Sequence, residues 1–391
     1  MNTDLIFDNT EVAFALKTDS ELERAYFLFK MISIEPLVRI GTAATNFAIK
    51  AHLPVEGLIR ATVFDHFCGG VNEKDCLSVI DKMYEKGVSS VLDYSVEGKE
   101  NEKEFDDAKN MILNIIEFAK SKNAMPIAVF KPTGFGRLIL YEKIGRGEVL
   151  NENEQEEWSR VVNRFDEVCK KAKTCNIAVL IDAEESWMQD SSDQLVTEMM
   201  KKYNTEKPIV YNTLQMYRHD RLSFLEQEHK KAKAGNYYLG FKLVRGAYME
   251  KENDRAEEKC YKTPICESKF ATDQNFNNGL KYIMNNLDSI SLFAGTHNED
   301  SSYLLMQLMK EKGIQNSDTR VWFAQLYGMS DHISFNLSYK GYNVAKYVPF
   351  GPVKDVMPYL IRRAEENTSV AGQTGRELAL LTKEKKRRKK L

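Results

Sequence analysis

Two adjacent arginines, Arg362 and Arg363, stand in the segment "PYLIRRAEEN" (358–367). Such a pair can bind one carboxylate, because guanidinium groups donate paired hydrogen bonds to carboxylate oxygens. Neighbouring helix positions point about 100° apart, so both arginines reach one carboxylate only from above it, with converging side chains. Glu366 follows within one turn and can brace either arginine or bind a cofactor. Ion pairs on a solvated helix face also explain the spacing, so both hypotheses stay open.

Further polar side chains recur where short apolar runs end. They are Lys131, Asp182, Gln215, Lys242, Arg245, Thr296, His297, Asn298, Gln325 and Tyr347. Both signs of charge occur, which suits binding of a zwitterion or a phosphorylated cofactor. A lysine on or just after a strand is costly unless it is paired or directed into solvent. Asp182 either caps the next helix or orients nearby cations, and residues 296–298 form either a turn or a ring of donors around a phosphate or ribose.

Eight short runs rich in β-branched residues alternate with longer helical patterns from about residue 85 onwards. The runs end at or near Asp93, Lys131, Asp182, Gln215, Gly246, Asn298, Gln325 and Tyr347. This alternation predicts a parallel sheet buried on both faces, and eight repeats is the number that closes a (β/α)8 barrel. Catalytic residues of that fold lie at the C-terminal ends of the strands. The alternative is an open doubly wound sheet, but its usual GxGxxG motif is missing from the chain.

The flanking segments differ in character from the repeats. Residues 1–60 predict an N-terminal helical extension with a capping box from Ser20 to Glu23. Residues 61–375 then form the barrel domain, with the helix after the eighth strand expected over the barrel mouth. Residues 376–391 form a basic tail, in which seven of the eight residues 383–390 are basic. We expect a disordered, solvated tail, with contact to anionic lipid as the alternative.

The composition excludes several classes of protein. The 391 residues carry a net charge of −2, so no overall positive field indicates nucleic acid as a partner. No apolar run approaches the roughly 18–20 residues of a membrane span. Early acids (Asp4, Asp8 and Glu11) argue against a transit peptide or a secretory signal, so a cytoplasmic location is expected. The six cysteines and six histidines show neither a CxxC pair nor a metal-binding spacing, so no metal site is expected.

Five segments together resemble the proline dehydrogenase family. They are "LIDAEESW" (180–187), "FKLVRGAYMEKE" (241–252), "GTHN" (295–298), "YGMSD" (327–331) and "KYVPFGPVKDVMPYLIRRAEEN" (346–367). The resemblance extends from about residue 60 to 370, with the motifs in the family's order. It implies a distorted (β/α)8 barrel that binds FAD without a Rossmann domain, in agreement with the missing GxGxxG. It also implies oxidation of L-proline to Δ1-pyrroline-5-carboxylate, with electrons passed to a membrane quinone.

The resemblance implies a role for each matching residue. Arg362 and Arg363 resemble the substrate-carboxylate clamp with Lys131 as its third cation, Asp182 the aspartate that orients this cluster, and Tyr347 the tyrosine beside the proline ring. Lys242 stands where many bacterial members have an arginine near flavin N5. Contacts to FAD are implied for Ala183, Gln215, Lys242, Val244, Arg245, Gly246, Ala247, Thr296, His297 and Asn298. Lys269 resembles a cation near the pyrophosphate, and Glu366 a ribose or cofactor contact.

Two alternatives to L-proline oxidation remain open from the sequence. One is the same fold acting on 4-hydroxyproline. The other is a catalytically dead barrel kept as a binding module. A dead barrel is expected to lose residues of the clamp or of the flavin site, whereas all of them are present here. The basic tail makes peripheral contact with the inner face of the membrane a further alternative for location.

Overall fold

The computed structural model of the chain describes residues 6–34, 56–95, 100–369 and 373–390, with 36, 38, 41 and 43 as single positions. Within these ranges, the side chains of 58, 61, 364–369 and 373 are not described. Across this part of the chain, no helix combines the length and the apolar character needed to cross a bilayer.

All eight predicted strands are present. They are β1 (Val88–Tyr94), β2 (Ile127–Phe130), β3 (Ala178–Ile181), β4 (Val210–Gln215), β5 (Leu239–Val244), β6 (Ile290–Gly295), β7 (Val321–Leu326) and β8 (Val344–Phe350). They are ordered β1-β8-β7-β6-β5-β4-β3-β2 in one sheet, and the registers are parallel. The strands are almost wholly buried, which is why their sequences read as apolar runs rather than as alternating patterns.

Helices occupy the connections between the strands, and further helices precede β1 and follow β8. They include α1 (Thr10–Ala13), α2 (Asp19–Ile32), α3 (Leu77–Tyr84), α4 (Glu102–Lys120), α5 (Leu138–Gly145), α6 (Glu152–Cys175), α7 (Ser186–Tyr203), α8 (Arg221–Gly235), α9 (Met249–Glu258), α10 (Lys269–Asn285), α11 (Glu299–Glu311), α12 (Asp331–Tyr339), α13 (Met357–Ser369) and α14 (Gln373–Arg388). Two helices lie between β2 and β3 and two between β5 and β6, so these connections are longer than a simple repeat requires.

The chain divides into two compact units, residues 98–324 and residues 1–97 with 325–391. In the unit 98–324, an aromatic cluster supports the loop after β2. Phe130 stacks on Phe135 with ring centroids 4.5 Å apart, and Phe165 of α6 meets both rings edge-on. Arg164 donates to the carbonyl of Phe135 at 3.0 Å, which holds this loop against α6. The backbone that carries Lys131 is therefore held in place by packed aromatic side chains.

In the other unit, the N-terminal helices pack against α14. Their shared core comprises Ala13, Phe14, Leu22, Ala25, Phe29, Leu380 and Leu381. The predicted helical character of the N-terminal segment is confirmed where the structure describes it. The predicted capping box was misplaced by two residues, because α2 begins after Thr18. Thr18 accepts from the amide of Glu21 at 3.2 Å, and the Glu21 carboxylate accepts from the Thr18 amide at 2.7 Å.

The expectation of a disordered basic tail was wrong for residues 383–388. They belong to the helix α14, whose Leu380 and Leu381 are each 1% exposed. Several of its basic side chains form ion pairs within the unit. Lys385 pairs with Glu23 at 2.7 Å and Arg388 with Asp19 at 2.8 Å. The physical reason is that acids of α2, far away in sequence, neutralise the charge run while the leucines enter the core.

A buried charge cluster also lies in this unit and explains the "YGMSD" segment. Asp331, at the start of α12, pairs with Lys17 at 3.1 Å and with Lys346 of β8 at 2.7 Å. Lys346 is 0% exposed and also donates to the carbonyl of Met329 at 2.6 Å. Burial works against ionisation of Asp331, but the two lysines more than offset it and hold its pKa well below the ordinary value.

Candidate active site

An ion pair joins Asp182, directly after β3, to the buried Lys242 within β5. Lys242 Nζ lies 2.6 Å from Asp182 Oδ1, and the Lys242 residue is only 5% exposed. Lys242 stands in β5 between Phe241 and Leu243, where an ammonium needs a partner to offset lost hydration. The structure thus brings together two residues that the sequence places 60 positions apart.

The segment after β3 connects this pair to neighbouring strand ends. The carbonyl of Glu184 accepts from Gln215 Nε2 of β4 at 2.6 Å. The Glu184 carboxylate accepts from the Thr133 amide at 2.9 Å and from its hydroxyl at 2.6 Å. Residues 182–185 therefore link the loop after β2 to the end of β4, and Ala183 lies in the middle of this link.

The loop after β2 carries Lys131, which is half-buried. Its shape is fixed on two sides, because Tyr141 Oη donates to the carbonyl of Pro132 at 2.8 Å and Glu184 holds Thr133. Burial raises the pKa of Glu184 to about 7, although Lys131 and the hydrogen bonds from Thr133 work in the opposite direction. A carboxyl that titrates near neutrality thus lies within the electrostatic reach of Lys131.

A second polar cluster lies at the ends of β5 and β6. Arg245 pairs with Asp273 at 2.7 Å, and it donates to Thr296 Oγ1 at 2.8 Å and to Ser301 Oγ at 3.0 Å. Lys269 lies 2.6 Å from the other oxygen of Asp273. Burial of Asp273 is outweighed by its bonds to the two cations, which lower its pKa. Two cations share one carboxylate here, which leaves a net positive charge for an anionic ligand.

Residues 244–247 form an open turn within this cluster. Gly246 has φ +135°, a region that side chains other than glycine rarely adopt. A Cβ at this position would lie 2.6 Å from the ring of Tyr217. Gly246 and Ala247 are exposed, and Val244 and Arg245 are half-buried. A backbone that is open on one side and seated on an aromatic ring on the other can approach a ligand closely.

The "GTHN" segment has a structural use as well. Asn298 caps α11 by accepting from the Ser301 amide at 2.8 Å, and its own amide donates to Thr296 Oγ1 at 3.1 Å. His297 lies between them and is half-buried. The turn prediction is thus correct for Asn298, and the start of α11 is joined to the Arg245 cluster through the hydroxyls of Thr296 and Ser301.

Tyr347, Arg362 and Arg363 belong to the other compact unit. Tyr347 lies in β8 beside Val91 and is 6% exposed. Arg363 is 8% exposed, with its guanidinium carbon 5.3 Å from the ring centroid of Tyr359, and Arg362 is half-buried. The burial of Arg363 contradicts a solvated position for this residue. The side chain of Glu366, proposed above as a brace or cofactor contact, lies outside the described residues.

Sequence reasoning missed Glu184 and Asp273. Glu184 stands inside the segment "LIDAEESW", and Asp273 follows Lys269 by four residues, but Thr133 and Arg245, which bind them, come from other parts of the chain. Asp331 and Lys346 were also missed, although a lysine inside the apolar run "NVAKYV" is a signal of a buried partner. In the part of the chain that the structure describes, no three potential ligands come together to hold a metal ion.

A family model described as Proline dehydrogenase matches residues 76–376. The chain belongs to the proline dehydrogenase family. It is 31% identical over 416 residues to proline dehydrogenase 1, mitochondrial, of Arabidopsis thaliana, a match that covers 94% of this chain and 83% of that protein. It is also 35% identical over 334 residues to the carbapenem antibiotics biosynthesis protein CarD of Pectobacterium carotovorum, covering 85% and 86%.

Solved structures of proline utilization A show the same fold. The protein from Bdellovibrio bacteriovorus gives a TM-score of 0.74 at 20% identity. The match covers 95% of this chain and 40% of that longer chain. The predicted α/β TIM-type barrel is therefore confirmed. The family model and the similar proline dehydrogenases confirm the prediction of an oxidoreductase of this family. The alternative of an open doubly wound sheet is excluded.

Proposed function

We propose that the protein oxidises L-proline to Δ1-pyrroline-5-carboxylate and uses FAD as its cofactor. The observation that carries the proposal is the family match over residues 76–376, within which every residue assigned to the clamp and flavin site is present. In this reaction a hydride leaves the ring carbon next to nitrogen, and the nitrogen loses a proton. We assign no base among the side chains, so water accepts that proton.

The residues at the ends of β4, β5 and β6 fit an FAD. Arg245 and Lys269 suit the pyrophosphate, and the turn at Gly246 admits a close ligand. The other assigned cofactor contacts are Ala183, Gln215, Lys242, Val244, Ala247, Thr296, His297, Asn298 and Glu366. When bound, the flavin supplies the redox chemistry by accepting the hydride at N5. Lys242 then places a positive charge near the flavin, and Asp182 fixes its direction.

Substrate recognition is assigned to cations and one aromatic ring. Lys131, Arg362 and Arg363 would bind the carboxylate of proline, which provides a rigid handle for orientation. Tyr347 would lie against the ring. Asp182 and Lys242 are the charged pair closest to the chemistry in this proposal. Ion pairs to the carboxylate fix one end of the substrate, and packing against the apolar ring then fixes its orientation. Together they can hold a small substrate in a reactive orientation.

An absorbance spectrum of the purified protein tests this function directly. We expect a flavin band that bleaches when L-proline is added without oxygen. A colourless protein that added FAD does not restore would contradict the proposal and favour the dead barrel. A yellow protein that L-proline fails to bleach would support FAD as the cofactor but contradict L-proline as the substrate.

Gly246→Ala is expected to lower FAD content. The new Cβ would meet the Tyr217 ring at a backbone angle that alanine avoids, so the turn must move away from the ligand. We expect about a tenfold weaker FAD affinity, measured as flavin fluorescence released on dilution. Gly313→Ala is the matched control, since it has φ +65° with nothing within 4 Å of its Cβ. Equal flavin retention in both variants would contradict the assignment.

Substrate choice is assigned to Tyr347. A buried phenol beside the ring leaves little room for a hydroxyl at ring carbon four, which would meet a clash or lack a partner. We expect L-proline to be preferred over trans-4-hydroxy-L-proline by at least about tenfold in kcat/KM. Tyr347→Ser should narrow that preference. Equal turnover of hydroxyproline by the unmutated protein would instead favour the alternative substrate.

We further propose a membrane quinone as electron acceptor and a cytoplasmic location with peripheral contact at the inner face of the membrane. The bases Lys386, Lys389 and Lys390 of the basic tail, which retain contact with solvent, support this contact. Each contributes about 1 kcal/mol near an anionic surface.

Changing all three lysines of the tail to glutamate should reduce sedimentation with anionic vesicles at low salt. The matched control changes Lys262, Lys312 and Lys340, which are exposed elsewhere; the same reduction in both would argue against a specific tail contact.

The division into residues 1–60, 61–375 and 376–391 also remains a proposal. The packing of α14 on α2 supports a C-terminal segment that is separate from the barrel helices.

A further inference from the structure

Glu184 is a buried carboxyl that has no part in the function proposed above. It is 5% exposed, and both of its oxygens accept hydrogen bonds from Thr133, two residues after Lys131. Its amide donates to Gln189 Oε1 at 3.0 Å, and Gln189 in turn donates to the buried Asp193 at 2.8 Å. Glu184 therefore lies between a rigid internal network and the loop that carries Lys131.

We propose that Glu184 is a positioning residue for Lys131, and that its negative charge weakens the hold of Lys131 on the substrate carboxylate. The inference rests on the proposed function, in which Lys131 binds that carboxylate. The geometry that carries it is the pair of bonds from the Thr133 amide and hydroxyl to the buried Glu184 carboxylate, which fix the loop two residues after Lys131. Lys131 also favours the ionised form of Glu184 and so acts to lower its pKa. A carboxylate ligand at Lys131 would place a second negative charge near Glu184.

The charged groups around Glu184 define the direction of the effect. Lys131 faces it from the loop after β2 and favours its ionised form, whereas Glu185, the next residue, disfavours that form. Tyr141 of α5 lies within electrostatic range. Asp182, two residues earlier, is paired with Lys242. A bound carboxylate adds repulsion, so binding should raise the pKa of Glu184 and draw a proton from solution near neutral pH.

The linkage has a definite sign. Because the ligand favours neutral Glu184, affinity should be highest below pH 7 and should fall as Glu184 ionises. A pKa shift of one unit on binding corresponds to about a tenfold change in affinity across the titration. Glu184→Gln keeps a hydrogen-bond acceptor for Thr133 but has no charge. The variant should therefore bind equally at all pH values, with the affinity that the unmutated protein shows at low pH.

Calorimetry of the flavin-loaded protein with cyclopentanecarboxylate tests the inference. This probe has the ring and the carboxylate of proline but no amine to titrate. Titrations between about pH 6 and pH 8.5, in buffers of different ionisation enthalpy, give both affinity and proton uptake. We expect the unmutated protein to bind about three- to tenfold more weakly at about pH 8.5 than at pH 6 and to take up protons near pH 7. Glu184→Gln should show neither effect.

Three further variants separate positioning from charge. Glu184→Ala removes the bonds to Thr133 as well and should weaken binding at every pH. Glu185→Gln removes a neighbouring charge that is paired with Lys251. It should keep the inflection but move it to lower pH. In a Lys131→Met background, binding should weaken and the inflection should move to higher pH, because the cation that favours ionised Glu184 is gone.

The outcomes are distinguishable. Binding with the same pH profile and proton uptake in the unmutated protein and in Glu184→Gln would overturn this inference alone. Absence of any binding by an unmutated, flavin-loaded protein that L-proline also fails to reduce would overturn the proposed function, and this inference with it.

Discussion

Replacing Arg363 by alanine is expected to weaken L-proline binding by about ten- to a hundredfold while FAD stays bound. Loss of a charge-assisted hydrogen bond to a buried carboxylate costs roughly 1.5–3 kcal/mol. Arg363 is 8% exposed and lies over the ring of Tyr359, so its guanidinium is held in a dry environment where the effect is strongest. Arg362→Ala should act in the same direction. In the double variant, the rate should no longer reach saturation at measurable concentrations of L-proline.

The measurement is the Michaelis constant for L-proline, with the flavin spectrum as the check on cofactor content. Arg363→Lys keeps the charge but not the planar pair of donors, so it should recover only part of the affinity. Arg146→Ala is the control, because Arg146 is a largely exposed arginine that pairs with Glu148. Near-normal Michaelis constants in both clamp variants would show that the arginines serve only the packing of α13.

Asp331→Ala is expected to lower the free energy of unfolding by about 3–5 kcal/mol. The change leaves the ammonium groups of Lys17 and Lys346 without the carboxylate between them, and Lys346 is wholly buried. The folded-state pKa of Asp331 lies below its unfolded value. Its contribution is thus fully present above about pH 4 and is lost as the pH falls through the folded-state value.

Urea unfolding at about pH 7 measures this change. Asp318→Ala, which breaks the more exposed pair with Arg320, is the control and should cost about 1 kcal/mol or less. Asp331→Leu combined with Lys346→Met should recover much of the loss, because the charge and its partner leave together. A loss for Asp331→Ala as small as that of the control would mean that water or other groups solvate the two lysines.

The sequence predicts the strands well for a physical reason. A strand buried on both faces must be apolar along its whole length, so runs such as "IAVLI" identify β3 without knowledge of its neighbours. Polar residues at the ends of those runs identify the candidate site, since strand ends share one edge of a parallel sheet. Lys131, Asp182 and Lys242 were found in this way.

What the sequence could not predict depends on partners far away in the chain. The bonds of Glu184 to Thr133 span 51 positions, and the pair of Arg388 with Asp19 spans 369. A run of bases looks solvated until the acids that neutralise it are known. The misplaced helix cap has a local cause, because Thr18 and Ser20 both stand three residues before a glutamate and only packing of α2 chooses between them.

The packing of α14 on the N-terminal helices has a consequence for protein synthesis. Phe14, Leu22 and Phe29 gain their cover from Leu380 and Leu381, which are made roughly 350 residues later. At about 5–20 residues per second, the nascent chain carries this apolar surface uncovered for about 20 to 70 s. During that time the surface is available to chaperones or to other nascent chains, so yield in the cell depends on how well it is shielded until residues 373–388 emerge.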